Sequence, residues 1–380
     1  MPRPFDFGRV ELEAGPQSQP AALLESETPF RVLLLGDFGG RANRGLFEIG
    51  PALAQRPVLR VDRDNFDQVL ARLRPSLQLG PHLGLTFREL DDFHPDRLYQ
   101  SLEIFHRLRD TRQRLADAAS FPSVARELAL IESESPAPEL AGLTSGSLLE
   151  QAIEATQTQA PSPARDPLAD YIRCLVAPYL VPKPHPRQEE LVARIDQAIA
   201  GLMRALLHQP AFQALEAAWR GVFFLVRRLE TDGRLRIYLL DLSRDELAAD
   251  LAAGELVESG LYSVLVEHAV GTPGGEAWSV VAGNYVFEQS AKDAELLARI
   301  ARLASQAGAP FLAEAGAQPP QPEDARAWAA LRAMPEAAWI GLALPRFLLR
   351  LPYGRHTDPI ESFEFERWTG SGPAGRGPGS

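Results

Sequence analysis

"WSVVAGNYVFEQSAKDAELLARIARLASQAGAPFLAEA", residues 278–315, reads as strand, helix, strand. WSVVAGNYVF (278–287) is rich in β-branched and aromatic residues, which fit a pleated, buried surface. Ser290 then stands where a helix N-cap belongs, and Leu296, Ile300, Leu303 and Ala307 follow at three- and four-residue spacing. Gly308 is placed to close that helix in left-handed backbone, and APFLAEA (309–315) opens the next strand. AWIGLALP (338–345) extends the alternation. Strand–helix–strand order implies parallel pairing with helices on both faces of the sheet. The expected class is α/β: mixed, largely parallel sheets flanked by helices.

Working back toward the N-terminus, the same unit takes in residues 187–367. Two helices precede the strands, ELVARIDQAIAGLMRALLHQ (190–209) and, after Pro210, AFQALEAAWRGVFFLVRRLE (211–230). Strand RLRIYLLDL (234–242) leads to Ser243, with Glu246 three residues on, the pattern of a capping box. LYSVLVEHA (261–269) suits helix or strand.

Residues 1–120 form another unit. FRVLLLGDF (30–38) is an apolar strand that stops at Gly39-Gly40, and RPVLRVD (56–62) alternates at period two. A helix over 64–74 carries Phe66, Val69, Leu70 and Leu73 on one face and ends at Pro75. LGLTFREL (83–90) alternates again, and one long helix is expected over 93–119. Between the two units, 121–186 is a Pro/Ser/Ala-rich linker with an island at SLLEQAIEAT (147–156). Leu148, Leu149 and Ile153 share one stripe of that short helix, which either docks into a partner's groove or folds back on its own chain. Residues 368–380 are a Gly/Pro-rich tail.

The totals narrow the function classes. A chain of 380 residues with 45% hydrophobic residues is long enough for two or three cores. No uncharged apolar run approaches a membrane span, and the N-terminus has no secretory h-region. One cysteine, Cys174, excludes an intrachain disulfide framework, so a cytosolic setting is expected. A net charge of −11 argues against nucleic acid. With only two lysines, Lys183 and Lys292, arginine supplies almost all positive charge, and its planar fork suits carboxylate pairs at interfaces.

Candidate chemistry is thin. GDFGGRANRG (36–45) follows a strand but lacks both G-x-G-x-x-G and G-K-[ST], so its glycines are read as turn formers. The seven histidines show no i, i+4 pair, and no metal or cofactor is expected. No G-x-S-x-G elbow is present, and Cys174 sits in an apolar run. The densest cluster is LPRFLLRLPYGRHTDPIESFEF (344–365), with Arg346, Arg350, Arg355, His356, Asp358 and Glu361. An enzyme would use His356 and Asp358 there, but no nucleophile, cofactor loop or metal cluster completes a catalytic set. Arg346, Arg350, Arg355, Asp358 and Glu361 are therefore read as interface residues.

Several segments resemble a known family. "HQPAFQALEAAWRGVFFLVRRLE", "LDLSRDELAADL", "GTPGGEAWSVVAGNYVF" and "WIGLALPRFLLRLPYGRHTDPIESFEFE" look like the large subunit of the type VI secretion contractile sheath (TssC, or VipB), in order over about 187–367. "TPFRVLLLGDFGGR", "VDRDNFDQVLARLRPSL" and "LTFRELDDFHPDRLYQSLEIFHRLRDTRQRL" resemble the small subunit (TssB, or VipA) over about 28–115. The resemblance implies a non-catalytic, cytoplasmic sheath subunit without a cofactor. Its implied partners are other sheath subunits, the inner-tube protein, the baseplate and an AAA+ ATPase that disassembles the sheath. It assigns SLLEQAIEAT to ATPase recognition through Leu148, Leu149 and Ile153, and FDFGRVELEAG (5–15) to a strand donated to a neighbour. The large-subunit family continues well beyond the DPIESFEFE region, where this chain has only its Gly/Pro tail, so a non-polymerising adaptor of the same machine is the alternative.

Overall fold

A computed structural model describes residues 28–80, 83–125, 127, 187–272, 275–317, 321–353 and 358–362. These fall into two compact units, one within 28–97 and 205–359, the other within 98–204 and 360–362.

The first unit is organised by a six-stranded sheet. Its strands are β1 (Phe30–Gly36), β2 (Leu59–Val61), β5 (Leu235–Asp241), β6 (Val280–Phe287), β7 (Phe311–Ala315) and β8 (Ile340–Ala343), in the order β2-β5-β1-β6-β7-β8. All neighbours are parallel except β2 against β5. A two-stranded antiparallel hairpin, β3 (Ser76–Gly80) with β4 (Leu83–Thr86), stands apart from it.

The position of β1 is the main topological finding. Phe30 lies opposite Leu235 and Gly36 opposite Asp241, while Val32–Leu35 run beside Val280–Gly283. A strand from the 1–120 stretch is thus central in a sheet whose other strands, apart from the edge strand β2, come from the 187–367 stretch. Its Leu33, Leu34 and Leu35 are all buried, as a strand covered on both faces requires. Leu33 and Leu35 join one core with Leu240, Val281, Phe287 and Phe311, closed by α7 (Arg244–Ala252), α9 (Ala291–Ala307) and α10 (Ala325–Ala333). The alternate residues Leu34, Ile237 and Leu239 point the other way and are equally buried.

Aromatic packing joins the two stretches again. Trp219, on α6 (Pro210–Arg228), donates its indole N–H to the Phe38 carbonyl at 2.9 Å. Phe38 and Phe66, the latter on α2 (Phe66–Leu73), each present an edge to it at 5.8 Å. Phe87 and Phe93 stack at 4.0 Å and both meet Phe212 edge-on.

A buried charge network is the third joint. Glu246 is fully buried and receives Arg41 (2.8 Å) and Arg56 (2.9 Å), and both guanidiniums also reach Glu48. Burial works against its charge, but hydrogen bonds from Arg41, the Ser243 N–H and Arg56 outweigh it and bring the carboxyl down to about 2. Asp241 has the opposite balance. Burial pushes it up to about 6, against the Gly39 N–H that donates to Oδ1 at 2.8 Å. One helical turn beyond Glu246, Asp250 accepts the N–H groups of Gly50, Gly260 and Leu261.

The local signals behave as their chemistry dictates. Ser243 and Glu246 form the expected reciprocal capping box, Ser290 accepts from the Asp293 N–H, and Gly308 closes α9 at φ 65°. Gly40 and Gly45 adopt positive φ in the loop after β1, and Arg74 takes a left-handed conformation (φ 48°) just before Pro75. Residues 260–267 are helical: α8 (Gly260–Tyr262) runs into a π-helical turn over Ser263–Glu267.

The expected single helix over 93–119 is instead two, α3 (Pro95–Ser101) and α4 (Glu103–Ala116), broken where Leu102 is extended at ψ 130°. His94 precedes α3 and His106 lies within α4, so they do not share a helix. The break brings buried Phe105 against Tyr99, ring centres 5.6 Å apart. These last contacts belong to the second unit, where Leu115, Phe121 and Val124 pack on Leu191, Val192 and Ile195 of α5 (Gln188–Leu207). Gln188 donates to the Leu115 and Ala116 carbonyls, capping the end of α4.

Candidate assembly surface

The arginine-rich stretch begins where β8 ends. β8 pairs with β7 and is the last strand of the sheet, so its outer edge has no partner strand among the described residues. Beyond it the chain is irregular but tethered. Arg346 is held by Glu314 of β7. Four residues on, Arg350 meets Glu216 of α6 through a two-point fork, Nε to Oε1 at 2.7 Å and Nη2 to Oε2 at 3.1 Å. Arg220, one helical turn along α6, holds the same carboxylate at 2.7 Å. Burial opposes the Arg350 charge, but Glu216 more than compensates and raises its pKa.

Arg350 also lies over the Tyr353 ring at 4.1 Å. Tyr353 is buried, its hydroxyl has no acceptor among the described residues, and burial next to Glu216 pushes it up to about 12. Its ring is met edge-on by His94 at 5.2 Å, and His94 sits 3.7 Å from Asp96 and 3.6 Å from Asp358.

Between the two arginine tethers, the apolar side chains turn outward. Phe347 is 69% exposed and Leu348 76%, with Leu344 and Leu351 also more than half exposed. Phe347 has an aromatic neighbour in Phe224 of α6, at 5.8 Å. A run of exposed large apolar residues beside an unpaired sheet edge is the usual mark of a protein-binding surface.

The predicted site residues are thus distributed as follows. Arg346, Arg350 and Asp358 have partners within the chain, namely Glu314, Glu216 and His94. Glu361 is exposed. Arg355, His356, the segment 5–15, Cys174 and the helix with Leu148, Leu149 and Ile153 lie outside the described residues. Sequence reasoning missed Glu216, Glu314 and His94 because their partners are remote in the chain. The exposure of Phe347 and Leu348 also went unread, since an apolar run next to a strand looks like core.

A sequence model of VipB (EvpB/VC_A0108, tail sheath N-terminal domain) matches residues 189–321 and 318–373. One of VipA (type VI secretion system, VipA, VC_A0107 or Hcp2) matches residues 8–123. The chain belongs to the type VI secretion sheath families, as a VipA-like region fused to a VipB-like region. Type VI secretion system sheath protein TssC1 of Pseudomonas aeruginosa is 35% identical over 202 residues, which cover 48% of this chain and 41% of that protein. Sheath protein TssB1 of the same organism is 27% identical over 105 residues, covering 25% of this chain and 59% of that protein. The chain thus matches less than two thirds of either relative. The sheet position of β1, the Trp219–Phe38 hydrogen bond and the Arg41/Arg56–Glu246 network all join the VipA-like region to the VipB-like one. No helix among the described residues is long and apolar enough to cross a membrane.

Proposed function

We propose that the chain is a structural, non-catalytic subunit of a type VI contractile sheath that assembles with other sheath subunits in the cytoplasm, around an inner tube and on a baseplate. The observation that carries this reading is β1. A VipA-like strand is held between two VipB-like strands, so the two kinds of sheath element form one covalent building block with fixed one-to-one stoichiometry. Contraction in such a machine requires two packings of the same blocks that differ in free energy, and no bond chemistry. The arginine-tethered strip at 344–351 supplies an apolar contact face, and Arg355 and Glu361 are further interface residues of this reading. The 5–15 segment is the donated strand, and Leu148, Leu149 and Ile153 are the contacts for an AAA+ disassembly ATPase.

Electron microscopy of the purified chain, alone and with inner-tube protein, tests this. Tubes of regular diameter are expected. Discrete soluble complexes with sheath components would instead identify an adaptor, and no association with sheath or tube protein would overturn the reading.

A further inference from the structure

The strip at 344–351 has a direction. Arg350 reaches Glu216 in the first half of α6, a Cβ on Gly221 would stand 3.9 Å from Leu349, and Phe347 meets Phe224 at 5.8 Å. Strip and helix therefore run antiparallel. The contacts that hold Arg346, Leu349 and Arg350 against the protein leave Phe347 and Leu348 exposed between them.

The two ends of the strip differ in charge. At one end Arg228, the last residue of α6, is exposed and lies over the Phe224 ring at 4.9 Å, with no carboxylate partner among the described residues. At the other end Asp358, nearly half exposed, lies 3.6 Å from His94, whose ring meets Tyr353 beside Arg350. In between, Glu314 and Glu216 already neutralise Arg346 and Arg350, so the middle is apolar without a charge to satisfy. Leu344, Phe347, Leu348 and Leu351 together expose about 500 Å², at roughly 200 Å² for each large apolar residue. Covering that surface on two copies removes about 1,000 Å² from water, the lower end for a specific interface.

We propose that the strip pairs with the same strip of a second copy, antiparallel, about a two-fold axis near Leu348. A parallel pairing would set Arg228 against its own counterpart, whereas the antiparallel one turns it toward Asp358 of the second copy. A contact of this kind uses the same patch on both copies, so the pair is closed and does not propagate. It is a state of the free chain in which the apolar face is covered, and growth of any larger assembly through that face has to open it. The pairing does not rest on the sheath reading, because it concerns the purified chain with no other component present.

The test uses the full chain carrying Arg228→Lys, which keeps the charge and supplies an amine that a zero-length carbodiimide couples to a carboxylate. Positions 216 and 228 lie about 18 Å apart along α6, and Asp358 belongs to the Glu216 end, so a link between positions 228 and 358 forms only between copies. A concentration-dependent dimer is expected in sedimentation velocity, and mass spectrometry of the cross-linked dimer is expected to find the 228–358 link. Phe347→Asp on the same background is expected to lower both the dimer fraction and the link at least about tenfold. Phe347 is exposed, so this variant keeps its fold. A chain that stays monomeric, an association that lacks the link, or a link that survives Phe347→Asp overturns the proposal.

Discussion

Arg350 and Glu216 form a two-point clasp, with parallel contacts of 2.7 and 3.1 Å between a segment that follows the last strand and a helix residue 134 positions earlier. The carboxylate side chain is only 6% exposed and the guanidinium 26%, so solvent screens the pair little. The clasp fixes the apolar strip at 344–351 in place.

Removing the clasp is expected to destabilise the chain. Arg350→Ala leaves Glu216 buried with Arg220 alone, at a cost of about 2 kcal/mol. Arg350→Lys restores the charge but not the planar fork and recovers less than half of that loss. Urea denaturation of the single variants and of the double variant with Glu216→Gln measures the coupling, which is expected at about 1–3 kcal/mol.

Two neighbouring carboxyls give opposite pH responses. Glu246 falls from 4.5 to about 2 in the folded chain, so its contribution is fully present above pH 4.5 and is lost as pH falls from there toward 2. Asp241 rises from 3.8 to about 6, so the folded state binds the extra proton and stability falls as pH climbs from 3.8 to 6. Asp241→Asn is therefore expected to raise the melting temperature at pH 7.5, with a benefit that disappears by pH 4. Its upper limit is about 3 kcal/mol. Glu246→Gln is expected to destabilise at pH 7.5 by about 3 kcal/mol, with the difference shrinking below pH 4. Thermal melts across this range check both.

Trp219→Phe removes the N–H that satisfies the Phe38 carbonyl and leaves a void between Phe38 and Phe66. A loss of about 2–3 kcal/mol is expected from the combined cavity and unmet acceptor. Because these rings join the VipA-like and VipB-like regions, limited proteolysis should release the two regions faster in the variant than in the wild type.

Phe347→Asp and Leu348→Asp alter exposed side chains and are expected to leave stability within about 0.5 kcal/mol of wild type. Under the proposed function the same changes weaken assembly, read as fewer or shorter tubes in electron micrographs. Unchanged tubes in both variants would remove this strip from the contact face.

Elements held by near neighbours were legible in the sequence. The β6–α9–β7 run carries its own N-cap, its own left-handed glycine and an unambiguous apolar period. The Ser243–Glu246 box is likewise a four-residue matter. The break at Leu102 was hidden because the apolar spacing continues through it; with Leu102 extended, Phe105 comes against Tyr99. The β3 strand was overlooked because SLQLG is short and follows directly on Pro75. Glu216, Glu314 and His94 became visible only as partners, since no local pattern marks a residue whose function is to receive an arginine from far along the chain.

The pairing of Phe30 with Leu235 has a consequence for how the polypeptide is made. About two hundred residues must leave the ribosome after β1 before its first neighbour exists, and a parallel ladder closed across such a loop forms slowly. Throughout that interval three consecutive leucines and two bare strand edges stay open to solvent and to other nascent chains. The apolar face of β1 is therefore open to misassociation until the chain has been made through β5.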